Sequence, residues 1–498
     1  MKARALMVQG TASHVGKSLL CAALCRIFAR AGHRVAPFKA QNMSLNAVAA
    51  LGGEMGAAQA LQARACYLEP RVEMNPVLLK PAGPEGCHRI LLGQPAGKLA
   101  YASPARAEAE TIAAIRAAYA GLSAEYELLI IEGAGSPAEI NRLDRDLANM
   151  FMAREADARV LLVGDIDRGG VFASLLGTWM LAPEADRIRG FVINKMRGDP
   201  RVLASGLDAL RRKTGVPTLG IIPFADPALP EEDAAALSEA AANQAADGSL
   251  RILVLRLPHI ANFTDFDALA REPGVHLEYA FTAAALRRAD VIILPGTRAT
   301  VADLRALRAA GLDRELLAAA ARGKPVLGIC GGYQMLGREI HDPSSVESSQ
   351  PLTPGLNLLP VTTHFLAAKN LGQVTGCHAA SRLPVAGFFL QHGRIMLDSG
   401  QPPWILLEDS APEGCQVGRI AGASLHQMLN GEAELASFRQ ALLAEWRVAC
   451  GKPAPVASEA APSALSLDQR LDAWADHVHR HLDMAAIEKL AYGNDGTD

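Results

Sequence analysis

The stretch Gly10-Thr-Ala-Ser-His-Val-Gly16-Lys17-Ser18 follows the apolar run Ala5–Gln9 and precedes a helical pattern. Its glycines let backbone N–H groups turn toward phosphate oxygens, and the start of the following helix adds partial positive charge. Lys17 can neutralise the β- and γ-phosphates of a nucleotide, and the Ser18 hydroxyl can bind Mg²⁺. The loop is one residue longer than the usual pattern, but strand, loop, Lys-Ser and helix come in the right order. The sequence therefore predicts a site for ATP and Mg²⁺, with Gly10, Thr11, Gly16, Lys17 and Ser18 as the binding residues.

Two acidic residues that close apolar runs are candidate Mg²⁺ ligands. Glu132 closes Leu-Leu-Ile-Ile, and Asp165 closes Val-Leu-Leu-Val-Gly. Ligands of open α/β sheets bind beyond the carboxyl ends of the strands, so both carboxylates are expected near the nucleotide. For either residue alone, a solvated or helix-capping carboxylate is the alternative. Asn194, which closes Phe-Val-Ile, is a candidate nucleobase contact on the same reasoning.

Short apolar runs alternate with helical patterns in two regions of the chain, as βαβ units around a mostly parallel sheet do. The fold class is therefore α/β, with two sheet domains. The first region predicts strands at Ala5–Gln9, Arg34–Phe38, Glu127–Glu132, Arg159–Asp165, Gly190–Asn194 and Gly220–Pro223. The second predicts strands at Arg251–Leu255, Val291–Leu294 and Pro325–Ile329.

Changes in composition divide the chain into four parts. Residues 1–228 form the nucleotide-binding domain, and residues 229–249, rich in Ala, Glu, Asp and Asn, form a linker. Residues 250–445 form the second α/β domain. Residues 446–498 form a C-terminal tail in which a Pro/Ala/Ser-rich stretch precedes one amphipathic helix at about Leu467–Leu490.

Composition excludes several classes of protein. The formal net charge of −3 gives no overall field that would attract nucleic acid or an anionic membrane. No apolar run is long enough to span a bilayer, and the start lacks the pattern of a signal peptide. The eight cysteines are scattered and form no zinc pattern or disulfide framework. We expect a cytoplasmic protein that binds neither nucleic acid nor membrane.

A second site is predicted at Pro325-Val-Leu-Gly-Ile-Cys330-Gly-Gly-Tyr-Gln-Met-Leu-Gly337. A strand ends at Cys330, two glycines make a sharp turn and a helix begins, which is the cysteine analogue of a serine nucleophile elbow. The helix start favours the thiolate. Gly331 and, from the loop after Val-Ile-Ile-Leu, Gly296 are candidate oxyanion-binding residues. A buried core thiol is the alternative, although packing alone would not require the glycine pair.

A cysteine nucleophile needs a base, and His426 in Gly-Ala-Ser-Leu-His-Gln is the best placed of the 13 histidines. Glu432 and Glu434 are guesses for a third, orienting member. A phosphate loop joined to a cysteine elbow indicates that one half hydrolyses glutamine to ammonia while the other activates a carboxylate with ATP.

Several longer strings resemble signatures of cobyric acid synthases, a family of glutamine-hydrolysing amidotransferases. The resemblance runs from about residue 5 to about residue 430. The strings are Pro37-Phe-Lys-Ala-Gln-Asn-Met-Ser-Leu-Asn46, Gln59-Ala-Leu-Gln62-Ala, Met74-Asn-Pro-Val-Leu-Leu-Lys-Pro81, Ile131-Glu-Gly-Ala-Gly-Ser-Pro-Ala-Glu-Ile-Asn141, Asp165-Ile-Asp-Arg-Gly-Gly-Val-Phe172, Asn262-Phe-Thr-Asp-Phe-Asp267, Leu294-Pro-Gly-Thr297 and Leu327-Gly-Ile-Cys-Gly-Gly-Tyr-Gln-Met-Leu336.

The resemblance implies a dethiobiotin-synthetase-like P-loop domain followed by a class I glutamine amidotransferase domain of the triad type. It implies amidation of the b, d, e and g carboxylates of adenosylcobyrinic acid a,c-diamide to adenosylcobyric acid in cobalamin biosynthesis. Matched by motif, Cys330 is the glutaminase nucleophile and His426 its base. Lys39, Glu132 and Asp165 are implied to serve phosphate or Mg²⁺ binding. The implied partners are small molecules, a corrinoid and glutamine, and homo-oligomerisation is left open.

The chain departs from the family pattern close to the expected glutaminase site. Where the family usually has Gly-Tyr-Glu-Ile-His-x-Gly, this chain has Gly387-Phe-Phe-Leu-Gln-His-Gly393, so Phe389 replaces Glu and Gln391 replaces His. His392 lies one position after the place where the family has its histidine. Ser424-Leu-His-Gln-Met stands where the family usually has Tyr-Leu-His-Gly followed by an aromatic residue. Arg142-Leu143 stands where Leu-Arg is usual. These departures keep open an enzyme with weak glutaminase activity that free ammonia serves better.

Three other functions are compatible with parts of the pattern. Cobyrinic acid a,c-diamide synthase has the same architecture, but the Phe-Lys-Ala-Gln-Asn-Met and Asp-Ile-Asp-Arg-Gly-Gly strings favour cobyric acid synthase. A nucleotide-dependent switch of the partition-ATPase kind would have no use for Cys330 or His426. A scaffold with a decayed amidotransferase domain would lack glutaminase turnover.

Overall fold

The computed structural model describes residues 3–81, 86–99, 105–230, 248–453 and 465–493. The expected linker at 229–249 and the Pro/Ala/Ser-rich start of the tail lie almost wholly outside these residues. The described chain forms two compact units. The first contains the described residues up to 230, apart from 45–49, together with 467–493; the second contains 45–49, 248–453 and 465–466.

The helices and strands are as follows. Residues 3–230 form β1 (Arg4–Gly10), α1 (Lys17–Arg30), β2 (Val35–Phe38), β3 (Gln41–Met43), β4 (Ala47–Ala50), β5 (Gly53–Gly56), α2 (Ala57–Ala65), β6 (Val77–Pro81), β7 (Cys87–Leu91), β8 (Gln94–Leu99), α3 (Ala105–Glu125), β9 (Leu128–Glu132), α4 (Met150–Glu155), β10 (Arg159–Asp165), α5 (Val171–Leu181), β11 (Ile188–Met196), α6 (Ala204–Thr214) and β12 (Thr218–Pro223).

Residues 248–453 form β13 (Leu250–Leu255), α7 (Asp267–Ala270), β14 (Val275–Ala280), α8 (Ala283–Arg288), β15 (Val291–Leu294), α9 (Thr300–Ala309), α10 (Leu312–Ala321), β16 (Val326–Ile329), α11 (Gly331–Leu336), β17 (Glu339–His341), β18 (Leu352–Pro354), β19 (Val361–His378), β20 (Pro384–Leu397), β21 (Pro403–Leu407), β22 (Pro412–Val417), β23 (Ile420–Ala423) and α12 (Ala436–Ala449). Residues 465–493 form α13 (Leu467–His481) and α14 (Met484–Tyr492).

The first unit is built on a parallel sheet of strand order β12-β11-β10-β1-β9-β2. Its central strands are continuous apolar runs because helices cover both faces, as in other parallel sheets. β1 lies between β9 and β10, with Val8 opposite Glu132 and Gly10 opposite Val163. A smaller sheet has the order β3-β6-β7-β8. The strands predicted for this region are confirmed to within two residues at either end.

The second unit contains a long mixed sheet. Its parallel part has the order β14-β13-β15-β16-β23, and antiparallel pairing then continues through β22, β21 and β19. β20 pairs with β19 in antiparallel register. One apolar core, which includes Ile293, Leu327 and Leu336, lies against the parallel part. None of the described helices of either unit combines the length and apolar character of a bilayer span.

The C-terminal tail differs from the expectation of one helix, because the chain forms α13 and α14 with a break between them. The Asp483 N–H donates to the Leu219 carbonyl at 2.7 Å, and the Asp483 side chain accepts from the Ala486 N–H at 3.1 Å. The first contact ties the break to β12, and the second caps α14 in the manner of an acidic N-cap.

Helix α13 packs on α1, the helix that follows the phosphate loop. Trp474 is buried in the cluster that holds Leu20 and Leu24, and its indole N–H donates to the Leu19 carbonyl at 2.8 Å. Aspartates at 468, 472 and 476 recur every four residues and so share one face of α13. Arg26 and Arg30 of α1 pair with this face, at 2.6 Å to Asp468 and 2.7 Å to Asp476.

This packing predicts unequal effects for two substitutions in α13. Trp474→Ala should lower the free energy of unfolding of the first unit by about 3 kcal/mol, since it removes a buried aromatic and leaves a cavity. Asp476→Asn removes only an exposed ion pair and should cost at most about 1 kcal/mol. Urea denaturation followed by circular dichroism measures both. Equal effects would contradict the packing of α13 on α1.

Candidate active sites

The phosphate loop closes over its own lysine. Lys17 Nζ donates to the Ala12 carbonyl at 2.8 Å and to the Gly135 carbonyl at 3.1 Å. Gly16 has φ +98°, a conformation that favours glycine, and a Cβ at Gly10 would lie 2.6 Å from Val15 Cγ2. The longer loop therefore still places Lys17 inside the curve of its backbone.

Two residues predicted to bind the nucleotide also support the loop. The Thr11 N–H donates to the Val163 carbonyl at 2.9 Å, so it extends the sheet and does not point toward a phosphate. Asn194 Nδ2 donates to the Val15 carbonyl at 2.9 Å, and the side chain is buried beneath the loop. The contact of Asn194 with a nucleobase stays a prediction.

Glu132 is the centre of a buried polar cluster beside the loop. Its Oε1 accepts from Ser18 Oγ at 2.7 Å and from Lys39 Nζ at 2.8 Å. Its Oε2 accepts from Gln62 Nε2 at 2.6 Å and from Gln59 Nε2 at 3.1 Å. Burial alone would raise the pKa of Glu132, but Lys39 and these hydrogen bonds outweigh it and hold the pKa below its ordinary value. Glu132 is therefore a carboxylate.

The cluster has the chemistry of a magnesium site. A serine hydroxyl and an ionised carboxylate are oxygen donors of the kind that Mg²⁺ prefers, and Mg²⁺ usually takes its other ligands from phosphate and water. Among the described residues no group of three His, Cys, Asp or Glu side chains could hold a metal unaided. Ser18 and Glu132 fit a cation that arrives with a nucleotide.

Asp165 lies on the other side of the loop from Glu132, because β10 and β9 flank β1. Its Oδ2 accepts from Lys195 Nζ at 2.9 Å, and its Oδ1 accepts from the Asp167 N–H at 2.9 Å. Lys195 Nζ also donates to the His14 carbonyl at 2.8 Å. Asp165 is thus connected to the loop through Lys195. It does not take part in the hydrogen bonds among Ser18, Lys39 and Glu132.

Cys330 occupies a strained turn between β16 and α11. Its φ of 49° and ψ of −110° are unusual for a residue with a side chain, as in nucleophile elbows. A Cβ at Gly332 would lie 2.0 Å from the Leu294 carbonyl oxygen, so only glycine allows the helix to pack this close to β15. The turn is thus built around two glycines, as the sequence predicts.

The two candidate oxyanion residues lie close to this turn. A Cβ at Gly331 would be 3.2 Å from the Thr297 backbone nitrogen, and a Cβ at Gly296 would be 2.7 Å from His426 Cε1. The Gly331 N–H is the first of α11 and so has no partner within its own helix. The loop at 296–297 therefore packs against both the elbow and the histidine.

His426 is held between an aspartate and an aromatic ring. Its Nδ1 lies 2.7 Å from Asp265 Oδ2, and its ring stacks on Phe388 at a centroid distance of 5.3 Å. Asp265 Oδ1 accepts from the Gln427 N–H at 2.9 Å. Burial would lower the pKa of His426, but the Asp265 carboxylate, which is hydrogen-bonded to the ring, and the neighbouring Cys330 raise the pKa to about 10.

These contacts define a Cys330–His426–Asp265 triad. The suggestions of Glu432 and Glu434 as third member are wrong, because the partner of the imidazole Nδ1 is Asp265. Asp265 lies 161 residues before His426, so spacing along the chain could not connect them. The string Asn262–Asp267 was the signal that the sequence offered.

Cys330 is buried and belongs to the apolar core of the second unit, and it also interacts with His426. A thiol that only packs would not require the strained backbone of Cys330 or its interaction with His426, which pairs with Asp265. The two residues that replace the family's His and Glu, Gln391 and Phe389, differ in their surroundings. Gln391 Oε1 lies 3.9 Å from Cys330 Sγ, whereas Phe389 is an apolar member of the core cluster that also contains Cys330. His392 projects to the opposite face of β20 from Gln391, since successive strand residues alternate.

Comparisons with known proteins assign both units. Residues 6–235 match the family described as the CobQ/CobB/MinD/ParA nucleotide binding domain, and residues 251–434 match the CobB/CobQ-like glutamine amidotransferase domain. A cobyric acid synthase of Moorella thermoacetica is 44% identical over 98% of this chain and 97% of its own. One from Pelotomaculum thermopropionicum is 50% identical over 84% of this chain and 82% of its own.

Among solved structures, a glutamine amidotransferase with 18% identity covers 40% of this chain and 98% of its own, at a TM-score of 0.31. The sequence relatives and the two domain families make the assignment. With two domain families matched in order and relatives similar over nearly the whole length, the chain belongs to the cobyric acid synthase family.

Proposed function

We propose that this enzyme uses ATP, Mg²⁺ and glutamine to amidate the b, d, e and g carboxylates of adenosylcobyrinic acid a,c-diamide, giving adenosylcobyric acid. The observation that carries the proposal is that one chain holds both a Ser18–Glu132–Lys39 cluster beside a phosphate loop and a Cys330–His426–Asp265 triad. We infer the corrinoid substrate from membership of the cobyric acid synthase family. We place the reaction in the cytoplasm, where ATP and glutamine are available.

The nucleotide-binding unit activates a carboxylate, which by itself reacts poorly with ammonia. A corrinoid carboxylate oxygen attacks the γ-phosphorus of ATP, ADP leaves, and an acyl phosphate forms. Ammonia then attacks the acyl carbon and phosphate leaves, so the product is an amide. Lys17 and Lys39 supply positive charge along the phosphates, and Mg²⁺ bound with the nucleotide would neutralise the charge that develops.

Ser18 and Glu132 are the residues we propose to hold Mg²⁺. Asp165, the other carboxylate that the sequence suggested, already accepts from Lys195 and from a backbone N–H. We propose that it acts through water, in keeping with the waters that Mg²⁺ usually retains. Gly10, Gly16 and Thr11 would form the loop around the phosphates, with Asn194 at the nucleobase side.

In the glutaminase half, the Cys330 thiolate adds to the carboxamide carbon of glutamine. The N–H groups at Gly296 and Gly331 would stabilise the resulting oxyanion. Ammonia leaves with a proton from His426, and water hydrolyses the thioester to glutamate and restores the thiol. Asp265 orients the imidazole and stabilises its charged form, as the acidic member of such triads does.

Mass spectrometry tests the function directly. A corrinoid a,c-diamide and, in a separate reaction, cobyrinic acid are each incubated with ATP, Mg²⁺ and glutamine. The first outcome concerns the a,c-diamide. Four successive replacements of an acid by an amide are expected. Amidation of cobyrinic acid at its a and c carboxylates instead would identify the enzyme as a cobyrinic acid a,c-diamide synthase. No amidation of either corrinoid would overturn the proposal.

Replacing the nucleophile separates the two nitrogen sources. Cys330→Ala should abolish synthesis with glutamine, because no thioester can form, while synthesis with ammonium chloride should persist. The rate of amide formation with each donor is the measurement. Loss of both activities would place Cys330 in the synthetase chemistry, and retention of glutamine-dependent synthesis would exclude it as the nucleophile.

Asp265 should be required for glutamine hydrolysis. Asp265→Asn should lower kcat/KM for glutamine by about 100-fold to 10,000-fold, since the imidazole loses the carboxylate that fixes its tautomer and charge. The same change should lower the pKa of His426 and shift the pH profile of glutaminase activity. Asp267→Asn, two residues later at the start of α7, is the matched control and should behave as wild type. An unchanged kcat/KM in Asp265→Asn would contradict the triad.

Glu132 should be required whichever nitrogen donor is used. Glu132→Gln should weaken Mg²⁺-dependent binding of ATP by about tenfold or more, because one anionic ligand is lost and Lys39 loses its partner. Isothermal titration calorimetry with and without Mg²⁺ measures this. Asp167→Asn, at an exposed carboxylate beside Arg197, is the control. Equal ATP binding by Glu132→Gln and wild type would exclude Glu132 as a metal ligand.

A further inference from the structure

Gln391 reaches the nucleophile from β20. Its Oε1 lies 3.9 Å from Cys330 Sγ, and the Leu390 carbonyl oxygen lies 4.0 Å from the same sulfur. The Gln391 side chain is 7% exposed, so it is a buried polar group beside the reacting atom. Two carbonyl oxygens therefore lie next to the sulfur, one from a side chain and one from the backbone.

A chain of hydrogen bonds connects Gln391 to Thr300 through Gln334. The Thr300 hydroxyl donates to Gln334 Oε1 at 3.0 Å, so Gln334 presents its NH₂ group on the other side. That group donates to Gln391 Oε1 at 3.4 Å. A Cβ at Gly393 would lie 2.4 Å from Gln334 Nε2, so the Gln334 amide is held closely against β20. In this arrangement the Gln391 oxygen faces Cys330 and accepts from Gln334.

We propose that Gln391 is a specificity-determining residue that recognises the carboxamide NH₂ group of glutamine and disfavours the carboxylate of glutamate. The proposal rests on Cys330 being the glutaminase nucleophile. When the carboxamide carbon is at the sulfur, its NH₂ group can donate to an acceptor beside the sulfur. Gln391 Oε1 is such an acceptor. The side-chain carboxylate of glutamate has no N–H to donate and would meet the same oxygen with repulsion.

The replacement of His by Gln at this position has a chemical consequence. A histidine can donate as well as accept and changes charge near neutral pH, whereas a glutamine amide held by Gln334 offers only an acceptor that does not titrate. Among the described residues, the ionisable group shown to interact with Cys330 is thus His426, which pairs with Asp265. The preference for glutamine over glutamate that Gln391 provides should therefore not change with pH.

The test is steady-state glutaminase kinetics with Gln391→Met, which keeps the length of the side chain but removes the acceptor. The KM for glutamine should rise about tenfold, as expected for one lost hydrogen bond to the substrate, with a smaller change in kcat. The inhibition constant for glutamate should fall relative to that KM. His392→Gln places an amide on the opposite face of β20 and should keep wild-type values.

A second variant covers the case in which Gln391→Met fails to fold. Gln391→Glu keeps an acceptor but adds a negative charge beside the sulfur, so the pH at which glutaminase kcat/KM is half-maximal should move upward. Unchanged glutamine KM and glutamate inhibition in Gln391→Met, or an unchanged pH profile in Gln391→Glu, would overturn the proposal. If the wild-type enzyme itself hydrolysed no glutamine, the proposed function would fail instead.

Discussion

Parallel strands all end at the same edge of a sheet, and this constraint places the chemistry of both units. In the first unit, β1, β9 and β10 deliver the phosphate loop, Glu132 and Asp165 to one edge. In the second, β15 and β16 deliver Gly296 and Cys330. At such an edge the N–H groups of following turns and helices are unpaired and can bind anions. A phosphate and a tetrahedral oxyanion present the same requirement, so one architecture serves both reactions.

Both sites also keep a charged group in a buried position by surrounding it with partners. Glu132 is ionised because Lys39, Ser18, Gln59 and Gln62 all donate to it. The charged form of His426 is favoured because Asp265 and Cys330 raise its pKa. Removing one member of such a set leaves an uncompensated charge, which costs more than the pair contributed. The single substitutions at these positions are therefore expected to be severe.

The sequence was sufficient for the nine strands that it predicted, the loop and the elbow, because each depends on local features: apolar runs, glycines at tight turns and a Lys-Ser pair. It was insufficient where residues meet through the fold. Asp265 is 161 residues from His426, and α13 packs on a helix more than 400 residues earlier. The displacement of Asp165 from the Glu132 cluster also required the strand order. Gln391 was visible as a departure, but only the structure shows that it faces the sulfur.

The central claim is that nitrogen released at Cys330 enters an acid that ATP has activated. The most direct test supplies glutamine with an isotopically labelled amide nitrogen as the sole nitrogen source and measures labelled corrinoid amides and ADP together. The account predicts that every new amide carries the label and that one ADP forms for each. Labelled ammonia that accumulates without entering the corrinoid, or amides that form without ADP, would contradict it.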